Sequence, residues 1–440
     1  MKKILAVVLS VIMVFLLSSC KSSENTSSKE ETVNNVSQPD KVEVENTVSQ
    51  VESETSYDDT SKEINSYDTQ STVSSNQSQT SSNNTSSQST QQHRIIRKIT
   101  SAKDLKEFSN TVNAGHSYSG EEVTLEADID LSGIEWVPIG TYSKPFKGTF
   151  LGNGHTIKNL TITTITDQML NSNQGNLHIG LFGLAEDATI TNLKLTNVNI
   201  SLCGNVGPSF IEVGSIVGSM HGRDKGISLT KCVASGNINI SLLQDKIISI
   251  GGAVGSFCGL GGVDTSYNMR YIQSNVNITS EGFLSTVGGI AGTLGLQDSD
   301  VSDSIVSDLI YVGKVNDNMV ERRSVGGLVG LFSSRYKCEL KNCFVKLTLS
   351  KIGNNSYSDV TPKLGIFIGE ETVNANVLKL ENFYGCAILN NNVFGLARVG
   401  TQSNTVSYVK CFETDEIPQE ADSVLINWNL SNRAFPTFNF

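Results

Sequence analysis

The feature that most restricts this chain is a short unit, Gly-apolar-apolar-Gly, that returns at a nearly fixed interval. It reads Gly180-Leu181-Phe182-Gly183, then Ser215-Ile216-Val217-Gly218, Gly252-Ala253-Val254-Gly255, Gly289-Ile290-Ala291-Gly292, Gly327-Leu328-Val329-Gly330 and Ile366-Phe367-Ile368-Gly369, with a decayed copy at Gly395-Leu396-Ala397-Arg398. The steps between first residues are 35, 37, 37, 38, 39 and 29. A period of this size marks a repeat architecture, in which no unit buries its apolar face alone and each leans on its neighbours. Although 440 residues could hold two or three domains, the repeats argue for one long folded domain.

Inside each period the pattern is that of strands. About 9–13 residues after most of these units comes a second apolar column: Leu193-Lys194-Leu195, Cys232-Val233-Ala234, Cys343-Phe344-Val345, Phe383-Tyr384 and Cys411-Phe412. A third short stretch alternates strictly, as in Val198-Asn199-Ile200, Ile238-Asn239-Ile240, Val276-Asn277-Ile278 and Leu347-Thr348-Leu349, which is the strand period of two. Three short strands per period form one coil of a parallel β-helix. A propeller has blades of similar length, but aromatic-rich blade signatures do not fit a chain with 7% aromatic residues. One conflict remains at this level. Leu328 and Val329 are adjacent and both apolar, so alternation would expose one of them unless the flanking glycines bend the strand or the outer face is covered.

The flanks are read separately. Lys2 and Lys3 precede an apolar run, Ile4–Leu17, that is too short to span a bilayer comfortably and ends in Leu17-Ser18-Ser19-Cys20. Residues 1–19 thus read as an export signal. The run resembles the bacterial lipobox, which implies cleavage before Cys20 and lipidation of Cys20; two or more acyl chains make a stable anchor. Residues 20–92 continue as a tether: Lys21–Gln92 holds 4 Lys against 12 Asp plus Glu and few large apolar residues, too little to offset the entropy of ordering. Residues 93–440 are the expected β-helix with its caps. Ser101-Ala102-Lys103-Asp104 looks like a capping box with Asp for Glu, and Leu105, Phe108 and Val112 follow at helical spacing, so a short N-terminal capping helix is expected. Strands and turns follow over Glu122–Thr164. Asp415–Phe440 leaves the repeat and carries Trp428, Phe435, Phe438 and Phe440, which reads as the cap on the other end.

The repeats, together with ITSAKDLKEF, ADIDLSG, PIG and FKGTFLGNGHTI, resemble the GLUG-motif surface proteins. The same region, roughly Ile99–Phe440, is similar to the β-helical part that precedes the catalytic domain of IgA1-protease-type metallopeptidases. The resemblance implies an all-β, right-handed parallel β-helix, exported and displayed on bacteria. No His-Glu-x-x-His occurs, so protease activity is not carried over.

Candidate chemistry is sparse. The net charge of −11 argues against a nucleic-acid partner. Asp128 and Asp130 share a strand face and could act as paired carboxylates, but turn hydrogen bonds are the expected role. Asp298, Asp300 and Asp303 cluster in a loop without a calcium-loop pattern. His155 is expected to be structural, and His93, His116, His178 and His221 are scattered and suggest no metal triad. Cys232, Cys343 and Cys411 share an inward column and are expected to be buried thiols; a Cys338–Cys343 bridge stays open. Tyr267, Tyr271, Tyr311, Tyr336 and Tyr357 are the candidate sugar-stacking rings. No catalytic residue, cofactor or metal is assigned. The expectation is a membrane-anchored, extracellular-facing adhesion or display module for host or environmental glycans or surface proteins. The alternative is a polysaccharide lyase or glycoside hydrolase, for which Glu321, Arg322, Arg323 and Asp303 come closest to an acid–base cluster.

Overall fold

The computed structural model describes residues 97–440, apart from short segments at 172–174, 205–206, 243–245, 260–265, 282–283, 297–304, 318–323, 335–337, 350–362, 374–377, 390–391, 395–396 and 403–405. The signal, Cys20 and the tether lie outside the described residues, as do His93, Asp298, Asp300, Asp303, Glu321, Arg322, Arg323, Tyr336 and Tyr357.

Parallel strands stack in register into a β-solenoid with three sheets. Sheet I runs through Asn176–Ile179, Phe210–Gly214, Ile247–Gly251, Leu284–Gly288, Ser324–Gly326 and Lys363–Gly365. Sheet II runs from Phe182–Glu186 through Val217–Gly222, Val254–Gly259, Ala291–Leu296, Val329–Ser334 and Ile368–Val373 to Val399–Gln402. Sheet III holds the longest strands, Ile227–Leu242, Tyr267–Glu281, Ile305–Asp317, Cys338–Leu349 and Leu378–Leu389, with shorter ones at both ends. The parallel solenoid expected from the repeat is therefore present, but its strands are divided differently. The second and third stretches of each period are one continuous strand of sheet III. The strand of sheet I, which precedes each glycine unit, was not anticipated. The register also shifts one alignment: Val276-Asn277-Ile278 pairs with Gly236-Asn237-Ile238 and not with Ile238-Asn239-Ile240.

Two kinds of corner close each coil. The corner from sheet I to sheet II falls within the glycine unit and is re-entrant. In the coil of Leu328, the strand stops at Gly326 and restarts at Val329. Leu328 and Val329 are both fully buried in the core, because the chain reverses there and both side chains splay inward; the flanking glycines do bend the strand. A Cβ on Gly326 would overlap the carbonyl oxygen of Val329, and one on Gly330 would overlap the amide of Val287 in the preceding coil. The structural repeat is thus a pair of glycines four residues apart: Gly214 and Gly218, Gly251 and Gly255, Gly288 and Gly292, Gly326 and Gly330, Gly365 and Gly369. The first glycine of the sequence unit is the variable one, replaced by Ser215 and Ile366.

The other corner is a bend inside sheet III. There Asn192, Lys231, Tyr271, Asp308, Asn342, Asn382 and Lys410, aligned coil on coil, all have φ between +51° and +58°. One left-handed residue per coil turns the strand while its side chain stays outside the core. The next position, Cys232, Ile272, Leu309, Cys343, Phe383 and Cys411, points inward as read from the sequence.

The expected helix, α1 (Ala102–Ala114), caps the N-terminal end. Ser101 Oγ accepts from the Asp104 amide at 3.2 Å, and Asp104 Oδ2 accepts from the Thr100 amide at 3.2 Å. Leu105, Phe108 and Val112 are fully buried, and Phe108 packs edge-on against Phe146 and Tyr118 with ring centroids 5.7 and 5.0 Å apart. Asn113 ties the helix to the first coil by donating to Pro138 O and accepting from Gly140 N.

The C-terminal segment differs from expectation. It lies along the side of the solenoid and not across its end. Ile417, Ala421, Leu425, Trp428 and Phe438 form a separate apolar cluster with Ile310, Phe344 and Tyr384, which point outward from three successive coils of sheet III. Trp428 Nε1 donates to Asp308 Oδ1 at 3.1 Å, Asn427 Nδ2 donates to the Tyr271 hydroxyl at 2.8 Å, and Phe440 carries Lys231 Nζ 5.9 Å from its ring centre. The physical reason is local. An outward apolar residue next to an inward one leaves a strip that water does not satisfy, and the segment covers it.

Candidate functional site

Polar groups collect at three places. The first is the re-entrant seam, where the non-core sides of sheets I and II face one another. Alternation sends Ile211 and Val213 into the core and Glu212 to the seam; Met220 goes to the core while Ser219 and His221 go to the seam. His178, one coil before Glu212 and paired with it in register, places Nδ1 2.8 Å from Glu212 Oε2, and Ser219 Oγ lies 2.7 Å from His221 Nε2. Two histidines that look scattered in the sequence are thus gathered around one carboxylate. The signal was available, since 178 and 212 are 34 residues apart, one coil. Burial pushes the Glu212 carboxyl up, but the hydrogen bond and charge of His178, with His221 and Ser219, outweigh it and bring it down to about 2. Burial is the main cause that lowers His221 to about 4, with His178 and Arg223 acting in the same direction against the pull of Glu212. The imidazole is therefore neutral at pH 7. Ser219 is fully buried, so this serine–histidine contact presents no nucleophile to a substrate. Further along, the seam continues as Ser249, Thr286 and Thr293, whose hydroxyls lie 2.9–3.2 Å apart, and ends in Ser324, Glu370 and Lys363. Among the described residues, no group of three or more His, Cys, Asp or Glu is placed to hold a metal ion.

The second place is the N-terminal turn region. Asp128 Oδ1 accepts from the Thr156 amide at 2.9 Å and lies 3.2 Å from His155 Nδ1. Asp130 Oδ1 accepts from Ser132 and from Asn159 Nδ2, with Lys158 Nζ 3.2 Å from Oδ2. Both carboxyls sit below the usual range because hydrogen bonds hold the charged form. They are turn clamps, as is His155. Close by, an open pocket of about 260 Å³ lies among the first coils, lined by Lys147, Thr149, Asp187, Thr189, Lys225 and Ser228 among others.

The third place is the C-terminal side. Three of the tyrosines read as stacking rings are not available: Tyr267 and Tyr311 are fully buried, and Tyr271 packs under Phe438 and Phe440 with Arg270 4.6 Å from its ring centre. Exposed rings occur instead at Phe412 and Phe435, each 49% exposed, at Phe440 and at Tyr408. Phe412 stacks on Tyr384 at 5.9 Å and extends the outward Ile310–Phe344–Tyr384 column by one coil. Lys346 Nζ stands 4.3 Å from the Phe435 ring centre, and Arg398 5.2 Å from that of Tyr408.

Cys232, Cys343 and Cys411 are buried free thiols, as expected, and burial pushes Cys232 up to about 12, far from a reactive thiolate. Cys343 being free, the Cys338–Cys343 bridge is not made.

No family model matches the chain. Over 133 residues it is 31% identical to a "Putative Gly-rich membrane protein" of Evansella cellulosilytica, a match covering 30% of this chain and 14% of that protein. Over 169 residues it is 32% identical to Halomucin of Haloquadratum walsbyi, covering 36% of this chain and 2% of that one. Among solved structures it is similar to a "putative immunoglobulin A1 protease" from Bacteroides ovatus, with a TM-score of 0.39 and 14% identity over 78% of this chain and 91% of that chain. An IgA1 protease matches with a TM-score of 0.38 and 16% identity over 78% of this chain and 24% of that one. The chain thus spans a small part of the two proteins it matches in sequence, and its structure is a parallel β-solenoid.

Proposed function

We propose that this chain is a lipid-anchored surface protein whose solenoid displays a binding face for glycans or proteins. In this reading Cys20 carries the anchor, residues 20–92 hold the folded part away from the membrane on the extracellular side, and residues 93–440 engage the partner. The observation that carries it is the group of exposed rings at the C-terminal side, Phe412 and Phe435 foremost. An aromatic face stacks on the C–H face of a sugar or on an apolar side chain, and large exposed rings in a soluble fold mark interaction sites. Lys346 beside Phe435 adds a cationic contact to this face.

Binding of the full chain to a glycan array and a panel of extracellular-matrix proteins tests the binding half. A ligand should emerge whose affinity falls at least ~10-fold in Phe412→Ala/Phe435→Ala; a ligand bound equally by both forms would move the face elsewhere, and no ligand in either panel would count against display. Fatty-acid-analogue labelling of cells tests the anchor. The label should disappear with Cys20→Ala, and its persistence would refute lipidation at Cys20.

A further inference from the structure

We infer that the pocket among the first coils is a binding site for an acidic saccharide, with Lys225 taking the carboxylate or sulfate and a stacked row of hydroxyls taking the sugar. The inference rests on the display reading and gives it a ligand class and a second locus, remote in sequence from the C-terminal rings.

The pocket is built by register. Thr149, Thr189 and Ser228 occupy the same position in three adjacent strands of sheet III, pairing Thr149 with Thr189 and Thr189 with Ser228. Their neighbours Phe150, Ile190 and Leu229 are fully buried, so alternation turns the three hydroxyls outward. None of these hydroxyls has a hydrogen-bond partner among the described residues. They form a row with the inter-strand spacing of about 4.8 Å, comparable to the advance of one pyranose unit along a chain. A row of donor–acceptor groups at that interval suits a ligand that is itself a row of hydroxyls.

The charges around the row differ in how far they are committed. Glu186 is held between Lys147 and Arg223, with Arg223 Nε 2.7 Å from Oε2. Asp187 is also engaged: its Oδ1 accepts from the amides of Arg223, Asp224 and Lys225 at 2.7, 2.9 and 3.2 Å. That clamp fixes the turn from which Lys225 projects into the pocket rim. Lys225 is exposed, and its ammonium has no partner among the described residues. On a chain of net charge −11, Lys225 is a cation without a carboxylate partner on a pocket that also presents a row of unpaired hydroxyls, and this pairing selects for an anion that itself carries hydroxyls. Gly226 keeps the floor of this turn close: its φ is +79°, and a Cβ there would overlap the Ser266 carbonyl oxygen.

Equilibrium binding of the full chain to three oligosaccharides of equal length, a glucuronate-containing one, its sulfated counterpart and its neutral glucose counterpart, tests the site. The acidic pair should bind roughly tenfold more tightly than the neutral one, the size of effect expected from a charge-assisted hydrogen bond. Which of the two acids binds better identifies the anion. Lys225→Ala should erase the preference, and Thr189→Val should weaken all three ligands; both sites are at the surface, and circular dichroism checks that the fold persists. Equal binding of acidic and neutral ligands, or an acidic preference that survives Lys225→Ala, overturns the inference. If that preference survives Lys225→Ala and falls in Phe412→Ala/Phe435→Ala, the display reading stands and this pocket is excluded. If none of the three binds, this site falls, and the display reading is then decided by the broader panel.

Discussion

The two corners of each coil solve the same problem by different means. At the re-entrant corner the backbones of sheets I and II come so close that two positions admit no side chain, and from Gly214 and Gly218 to Gly365 and Gly369 both are glycine. At the bend in sheet III the backbone takes a left-handed residue, but the side chain projects outward, and Asn, Lys, Tyr and Asp all serve. The first corner fixes residue identity through excluded volume. The second fixes only a dihedral, at a cost of about 1 kcal/mol per non-glycine residue. That second column is consequently free to carry chemistry, and here it holds Tyr271 and Asp308, the anchors of the C-terminal segment.

The sharpest way to break this contrast is Gly326→Val. The overlap is with backbone that cannot move aside, so a loss of about 3 kcal/mol is expected, whereas Lys410→Asn, at the bend in sheet III where Asn already serves at 342 and 382, should cost much less. Thermal melts of the two variants decide it, and equal melting temperatures would show that the seam tolerates side chains after all. Next in size is Trp428→Ala, which removes a buried ring and its bond to Asp308. A loss of about 3 kcal/mol is expected, read as faster hydrogen exchange at Ile310 and Phe344 with the seam still protected; uniform acceleration would mean the segment and coils unfold as one.

A third test uses the seam's titrating groups. His221 is neutral in the fold with its pKa lowered to about 4, while the unfolded chain takes up the proton near 6.5. Stability present above pH 6.5 is therefore lost as the pH falls toward 4, by up to about 3 kcal/mol at 1.36 kcal/mol per unit, and by less because His221 keeps some exposure. Glu212, lowered from 4.5 to about 2, extends the loss below pH 4.5. His221→Gln should flatten the melting temperature between pH 6.5 and 4; an unchanged slope would assign the effect elsewhere. The smallest expected effect is at the other corner: Lys231→Gly relieves a left-handed lysine and should stabilise by at most about 1 kcal/mol, unless its contact with Phe440 outweighs the strain, in which case the melting temperature falls.

The coil period, the capping helix and the inward cysteine column were legible because each rests on a local periodicity. The residue pair Leu328–Val329 was legible as a conflict, and the re-entrant corner resolves it. The strands of sheet I were missed although Ile248-Ser249-Ile250 and Ile211-Glu212-Val213 alternate, because they are short and run straight into the glycine unit. The C-terminal segment was misplaced for a subtler reason. Its bulky residues look like any cap, and its true seat is recorded elsewhere, in Leu309-Ile310, Cys343-Phe344 and Phe383-Tyr384, where an outward apolar residue follows the inward one. The clustering of His178, Glu212 and His221 depends on register between coils, which a linear reading shows only once the step is known.

The lateral segment also sets an order of events. Asn427 and Trp428 reach back 156 and 120 residues to Tyr271 and Asp308, and these are residues that leave the ribosome long before their partners exist. Coils can stack one after another as they emerge, but the strip of Ile310, Phe344 and Tyr384 stays uncovered until the segment holding Ile417, Leu425, Trp428 and Phe438 arrives. The clasp therefore closes only after the coils it spans have emerged, and it ties together Tyr271, Asp308, Phe344 and Tyr384, which lie in four successive coils.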